Sequence, residues 1–228
     1  ESDLRIKMDV FLASPNTQQQ AEHCGDMNVL LSFASFSNWL WQYQPSFNKV
    51  LIDSGAYSEL NSGKKIDIEA YKDWSAKWVS RAEAIAGLDD ISGDWKRSLR
   101  NYEKIAWSFP TWHDTDPPEL LDDLIAISKE RKTWLGIGLM PPRQGKERII
   151  REALWKIPRD IHVHGWALRA YTYISNLDSV DSTNWWRDAM ALRKQLGWLH
   201  YGECLDLIIK RYKRETRQIF DAPIGLFE

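Results

Sequence analysis

The chain has few cysteines, and it has no long apolar run. Its 228 residues include only Cys24 and Cys204, which lie far apart and form no C-x-x-C pair. This usage argues against a disulfide framework and against a cysteine-based zinc site, so we expect a reduced, cytoplasmic compartment. No apolar run approaches the roughly 20 residues of a membrane span, and the start of the chain does not resemble a signal peptide. We therefore expect no membrane contact.

A strong charge of either sign is also missing. The formal net charge of -2 argues against a surface that binds polyanions generally, so any nucleic-acid contact requires a local basic face. Candidates for contacts with a nucleic-acid backbone are Lys64, Lys65 and Arg143, beyond predicted strand ends, and Lys210 and Arg211, in the run KRYKRETR. A basic run of this kind is also typical of a solvated helix face, and the sequence leaves both interpretations open.

What the chain does contain is an alternation of short apolar runs and amphipathic segments. We predict strands at 8–13, 29–33, 50–53, 84–88, 107–113, 134–139, 161–168 and 177–181. We predict helices at 37–43, 68–84, 95–107, 117–129, 147–157 and 185–220. Strands separated by helices indicate a parallel sheet, and 228 residues suit one domain. The prediction is an α/β fold, a single-domain (β/α)8 TIM-type barrel over residues 1–228. An open doubly wound sheet is the alternative, although no G-x-G-x-x-G fingerprint follows an early strand.

The stretch VLIDSGAYSEL, residues 50–60, organises this pattern. Its apolar run ends at Asp53, and Ser54 and Gly55 follow directly. In α/β folds the carboxyl end of a strand is where catalytic side chains lie, so Asp53 is a candidate, although it could equally cap the next helix. A second stretch of the same design, SVDSTNW at residues 179–185, contains Asp181. The repetition favours a site over two independent caps.

In a barrel the predicted strand ends converge on one opening. They carry Asp53, Ser54, Asp89, Asp90, His113, Gly136, Gly138, Leu139, His164, Gly165, Asp181 and Ser182. Several carboxylates at one opening are costly unless a substrate, a cation or a proton compensates them. Metal-assisted hydrolysis, nucleophilic attack by a carboxylate on a sugar carbon, and binding of a base or an amine all fit. Because H-E-x-x-H spacing is missing, we predict no metal, and we expect no other cofactor. The 13 Trp could serve as core, as a stacking surface, or as both.

The order of these motifs resembles the tRNA-guanine transglycosylase superfamily. The motifs are DSGAYS, LDD, PTWH, GIGL, HVHGWAL and SVDSTNW, and the resemblance spans residues 8–186. Within that superfamily the chain is most similar to the compact 7-deazaguanine DNA transglycosylases of phages and bacterial DNA-modification clusters. The DSGAYS and VDSTNW stretches are the specific parts of the match.

The resemblance implies a pentosyltransferase that exchanges guanine in DNA for a 7-deazaguanine, such as a cyano-substituted precursor. Asp181 would be the nucleophile that forms a covalent glycosyl-enzyme, and Asp53 would move the proton to and from the base. Asp89 or Asp90 would accept hydrogen bonds from the guanine edge, Gly138 and Leu139 would contact the base through their backbone, and Tyr57, or a nearby Trp, would stack on it. The other residues expected to bind substrate are Ser54, Gly55, His113, Gly136, His164 and Gly165. The target nucleotide would have to leave the helix, and a partner protein could assist.

One departure from the tRNA enzymes affects the choice of nucleic acid. Those enzymes carry a C-x-C-x-x-C…H zinc site after the nucleophile strand, whereas this chain has Cys204 alone in that region. We therefore expect no zinc subdomain, and DNA rather than tRNA as the partner. A tRNA enzyme, or a barrel that binds nucleic acid or a nucleobase without catalysis, remains the alternative.

Overall fold

A computed structural model of the protein describes residues 8–142, 145–168, 174 and 176–221, with side chains as far as residue 213. It is an α/β fold built on one curled sheet of eight parallel strands. The strands are β1 (Asp9–Ala13), β2 (Asn28–Ser32), β3 (Lys49–Asp53), β4 (Ala84–Ile85), β5 (Thr111–His113), β6 (Leu135–Gly138), β7 (Val163–Trp166) and β8 (Ser179–Ser182). Each overlaps one of the eight predicted strands.

Eight α-helices accompany the sheet in the part of the chain that the structure describes. They are α1 (Gln18–His23), α2 (Ala56–Ser62), α3 (Ile68–Ala76), α4 (Trp95–Lys104), α5 (Leu120–Arg131), α6 (Glu147–Lys156), α7 (Asn184–Leu196) and α8 (Tyr201–Asp221). Two caps show how the sequence starts these helices: the Asp67 side chain accepts from the Glu69 N–H, and Asp94 accepts from the Arg97 N–H. No helix among the described residues has both the length and the hydropathy that a membrane-spanning helix requires.

The strand order is β4-β3-β2-β1-β8-β7-β6-β5, so the first and last strands of the chain pair in the middle of the sheet. In that central pair Phe11 lies opposite Asp181. No ladder of strand pairs joins the edge strands β4 and β5 within the described residues, and the barrel is open there. A single parallel bridge spans this gap, where the Phe109 N–H donates to Ile85 O and the Gly87 N–H donates to Phe109 O, both at 2.8 Å. The α/β class and the eight parallel strands of the prediction are confirmed.

Apolar side chains fill both faces of the sheet. On the concave face Phe11, from β1, meets Trp134, just before β6, at 6.3 Å between ring centroids. Two larger clusters lie between the sheet and its helices, and they contain Leu12 and Leu31 on one half and Ile137 and Leu154 on the other. Because side chains alternate along each strand, every second residue faces the concave side and the polar strand ends meet at one opening.

Three predicted helices differ from the structure. Residues 37–43 form short 3-10 turns instead of a helix, with Trp41 stacked on Trp78 at 4.2 Å. The predicted helix at 68–84 ends at Ala76, and the stretch after Trp185 is two helices rather than one. The break lies at Gly197, whose φ of 68° is the left-handed conformation that ends a helix.

The turn after β3 depends on Gly55. Its φ is +86°, and a Cβ added there would lie 2.4 Å from the Cβ of Ala34. We expect Gly55→Ala to lower the free energy of unfolding by about 2–4 kcal/mol, from backbone strain plus this clash. Gly63→Ala is the matched control, because its φ of +70° is also left-handed but no atom lies within 4 Å of the added Cβ. Urea unfolding should show a loss of only about 1 kcal/mol for the control, and equal losses would contradict the steric account.

Candidate functional site

A cavity of about 540 Å³ opens at the carboxyl ends of the strands. Predicted site residues from five different strand ends line it: Asp53, Tyr57, Asp89, His113, Gly138, Leu139 and Asp181. Asp53 and Asp181 are 128 positions apart in the sequence (181 − 53) and face the same space. The geometry therefore brings together the carboxylates that the sequence singled out.

Asp53 is the carboxylate that the site perturbs most. Burial, with the negative charges of Asp89 and Asp181 adding to it, raises the pKa of Asp53 from 3.8 to about 6. The Ser32 hydroxyl and the Gly55 backbone N–H, which face the carboxylate, act in the opposite direction. A carboxyl group with a pKa near 6 can both donate and accept a proton near neutral pH.

Asp181 is held at the end of β8 by the backbone of the preceding crossover. The Ala167 N–H donates to Oδ1 of Asp181 at 2.6 Å, and Ala167 has a φ of +53°, which is rare for a residue other than glycine. Nε2 of His164 lies 3.7 Å from the same oxygen. The Asp181 side chain is buried and directed into the cavity.

Asp89 and His113 form a close pair on the opposite side of the opening. Nε2 of His113 lies 2.5 Å from Oδ2 of Asp89. Burial lowers the pKa of the His113 imidazole, but the hydrogen bond and charge of Asp89 outweigh burial, so that the pKa is raised above 6.5. A Cβ on Gly138 would lie 2.4 Å from Nδ1 of His113, so a glycine is needed beside this ring. The pair fixes the orientation of the Asp89 carboxylate.

The structure separates Asp90 from the site. Its carboxylate accepts hydrogen bonds from Arg97 at 2.7 Å and from the Ser92 backbone N–H at 2.9 Å, and it does not line the cavity. These contacts lower the pKa of Asp90 although partial burial raises it. Asp90 therefore organises the loop after β4, and of the two adjacent aspartates only Asp89 faces the cavity.

Five other predicted substrate-binding residues lie behind the cavity wall: Ser54, Gly55, Gly136, His164 and Gly165. A Cβ on Gly136 would lie 2.4 Å from Oγ1 of Thr111, and one on Gly165 would lie 3.0 Å from the Leu168 Cβ. Ser54 is buried, and its Oγ lies 3.4 Å from the Ala56 N–H. These residues shape the walls and the turns; none of them lines the space itself.

The predicted basic residues have different surroundings. Lys64 and Lys65 are exposed just after α2, and Lys210 is exposed on α8. Arg211 pairs with Asp188 of α7 at 2.8 Å. The next residue, Tyr212, reaches the Ser182 hydroxyl at 3.0 Å, so this part of α8 lies beside the carboxyl end of β8. Arg143 lies outside the described residues.

The cavity is also lined by residues that no sequence motif had singled out. Trp186 and Arg187, in the first turn of α7, both line it, and the Arg187 guanidinium lies 5.2 Å from the Trp186 ring. Trp166, at the end of β7, also lines it and donates to Thr111 Oγ1 at 3.1 Å. One signal could have found the first two, because the first turn of a helix that follows a barrel strand directly faces the opening.

A set of metal ligands, or a match to a known family, would each point to a function for this site. In the described part of the chain, no group of three or more His, Cys, Asp or Glu side chains is arranged to hold a metal ion. No model of a known protein family matches the chain, and no curated protein matches it either. The function is therefore inferred from the cavity and its side chains.

Proposed function

We propose that the protein is a transglycosylase that replaces guanine in DNA with a 7-deazaguanine through a covalent glycosyl intermediate on Asp181. The observation that carries the proposal is the pairing of Asp181 with Asp53 across one cavity, where the pKa of Asp53 is raised to about 6. One carboxylate is thus suited to attack and the other to hold a proton, which is the division of roles that retaining glycosyl transfer requires.

The first step breaks the bond between C1′ of the sugar and N9 of guanine. An oxygen of Asp181 attacks C1′ and forms an ester, while the electron pair of the broken bond goes to the base and the Asp53 proton follows it. In the second step the incoming 7-deazaguanine gives its N9 proton to Asp53 and attacks C1′. The ester bond breaks, Asp181 regains its charge, and two inversions give net retention.

The base would be recognised by groups on the far side of the opening. Asp89 accepts hydrogen bonds from N1–H and the 2-amino group of guanine, and adenine lacks this pair of donors. The contact with His113 at 2.5 Å holds the carboxylate in place for this task. The Gly138 and Leu139 backbone borders the base edge, and Tyr57, 47% exposed at the opening, supplies a stacking surface.

The size of the cavity supports a single extruded nucleotide as the substrate. A volume of about 540 Å³ is in the range of small-molecule sites and cannot admit a duplex. The target nucleotide would therefore flip out of the helix or come from a single strand. Arg187 at the rim, with Lys210 and Lys64 as exposed cations, offers contacts for the flanking phosphates.

The proposal includes a TIM-type (β/α)8 barrel, and the Ala86–Phe109 bridge across the open side of the sheet supports it. It also includes a reduced, cytoplasmic compartment, which the free cysteines Cys24 and Cys204 support. A partner protein that prepares the base or the DNA is compatible with the open cavity, and tRNA is the alternative substrate.

Base exchange can be measured directly with labelled guanine. We expect the purified protein to transfer label into duplex or single-stranded DNA, with less than a tenth of that rate into tRNA. Label entering tRNA faster than DNA would reverse the choice of substrate. The protein could instead bind DNA tightly while no label enters either nucleic acid, whichever 7-deazaguanine is added. That result would support a binding protein and contradict the enzyme.

A further inference from the structure

Three polar side chains next to Asp181 contact one another inside the curled sheet. The Ser179 hydroxyl lies 2.8 Å from Nε2 of His162 and 2.9 Å from Nδ1 of His164. The other ring nitrogen of His164, Nε2, lies 3.7 Å from Oδ1 of Asp181. The side chains of His162, Ser179 and His164, which we call the interior relay, thus connect the middle of the sheet to the candidate nucleophile.

Aromatic rings fix the two imidazoles of the interior relay. Trp134 stacks on His162 with ring centroids 3.7 Å apart and an interplanar angle of 16°. Trp166 and Phe11 meet His164 edge-on, at 4.5 Å and 6.0 Å between centroids. His164 and Ser179 are fully buried. In a close-packed interior such rings cannot turn over without moving their neighbours, so the order of contacts is built into the fold.

The single proton of the Ser179 hydroxyl determines the direction of the hydrogen bonds in the interior relay, and with it the tautomer of His164. A serine can donate only one hydrogen bond, so it donates to one histidine and accepts from the other. If it donated to His162, His164 would carry its proton on Nδ1 and turn a lone pair toward the Asp181 carboxylate. If it donates to His164, Nε2 carries the proton and directs an N–H at the carboxylate, which is the attractive arrangement.

One further observation favours the second direction, and another is compatible with it. Within the described residues, Nε2 of His164 is buried and has no hydrogen-bond partner, and Oδ1 of Asp181 lies 3.7 Å from it. An N–H at this nitrogen would therefore have the Asp181 carboxylate as its acceptor. Burial, together with the neighbouring His164, lowers the pKa of His162 to about 4. His162 is therefore neutral near pH 7, so its charge permits either direction, including the one in which its Nε2–H donates to Ser179.

We propose that His164, oriented by Ser179, is a positioning residue that directs Nε2–H at Oδ1 of Asp181 and so leaves Oδ2 as the attacking oxygen. The inference rests on the proposed role of Asp181 as nucleophile. The Ala167 N–H, at 2.6 Å, already holds the same Oδ1. A separation of 3.7 Å is too long for a hydrogen bond in the free protein, and contacts of this kind often tighten only when substrate is bound.

The relay would act on the second chemical step, in which negative charge returns to Asp181. Once Oδ2 is bonded to C1′, Oδ1 is the carbonyl oxygen of the ester. When the second base attacks C1′, the electron pair of the C1′–Oδ2 bond returns to the carboxylate, and the charge is shared with Oδ1. Donors that already point at the atom where charge develops stabilise that transition state without reorganising.

Ser179→Ala tests the relay because it removes one hydroxyl and almost no volume. We expect kcat for base exchange to fall about tenfold to hundredfold while KM changes less than about twofold, since the donor acts on the reacting carboxylate and not on substrate binding. Ser108→Ala is the matched control, a buried serine whose Oγ donates only to the Ile105 carbonyl. It should leave kcat unchanged.

A readout that does not depend on activity is the tautomer of His164, measured by long-range ¹H–¹⁵N NMR with the five histidines assigned. We expect the Nε2–H form in the wild type and a mixture of tautomers in Ser179→Ala. An Nδ1–H form in the wild type would overturn the positioning role and leave Asp181 as nucleophile untouched. Full exchange activity in Asp181→Asn would overturn the proposed function, and the positioning role with it.

Discussion

Asp181→Asn is expected to abolish base exchange, with a loss of at least about 10⁴-fold in kcat/KM. The amide cannot form the glycosyl ester, and removal of a covalent nucleophile typically costs this much. The amide fills nearly the same volume, and its oxygen can still accept from the Ala167 N–H, whose contact with Oδ1 is 2.6 Å. The fold should therefore survive, and the thermal unfolding temperature should change by only a few degrees.

Asp160→Asn provides the matched control for this loss, because Asp160 is exposed in a turn before β7 and lines no part of the cavity. It should keep full activity. If Asp181→Asn exchanged bases as fast as this control, the assignment of Asp181 as nucleophile would be wrong.

Asp53→Asn should lose activity and gain stability. Without the proton donor and acceptor we expect exchange to fall by about 10²–10⁴-fold.

The pKa of Asp53 is raised from 3.8 to about 6 in the folded protein, so the folded state binds more protons than the unfolded state between these values. The stability of the wild type therefore falls as pH rises from about 4 to about 6, and ionised Asp53 lowers the free energy of unfolding by up to about 3 kcal/mol above that window.

The asparagine variant has no such charge. Its stability relative to the wild type should rise across this window and level off above pH 6, which denaturant unfolding at pH 4, 5, 6 and 8 can measure. The Asp160→Asn control should show no such rise. A variant that is less stable than the wild type at pH 8 would mean that Asp53 makes favourable contacts as an ion.

Much of the sheet follows from local sequence. Short apolar runs that end in a carboxylate or a glycine mark the strands at Asp53 and at Gly138, because a buried parallel strand needs apolar residues on both faces and a turn signal at its end. The same pattern predicts that Asp53 and Asp181 meet, since parallel strands present their carboxyl ends at one edge. Gly197 could also have been identified as a helix end, yet the prediction continued one helix through it.

What the sequence could not provide is the partner of each side chain. Asp89 and Asp90 are adjacent and chemically identical, and which of them faces the cavity depends on contacts such as those of Arg97 with Asp90, at 2.7 Å, and of His113 with Asp89, at 2.5 Å. The pairing of His164 with Ser179 joins two different strands whose register no local pattern fixes. Such contacts follow from tertiary packing and depend on residues far apart in the chain.

The most direct measurement of the central claim is the mass of the protein after rapid denaturation in the presence of a guanine-containing oligonucleotide. Two carboxylates that act as nucleophile and proton carrier require an ester to form on one of them. We predict an adduct whose mass equals that of the oligonucleotide without its base, located by peptide mass spectrometry at Asp181 and absent from Asp181→Asn. Exchange that proceeds with no adduct at Asp181, or with an adduct on Asp53, would contradict the account.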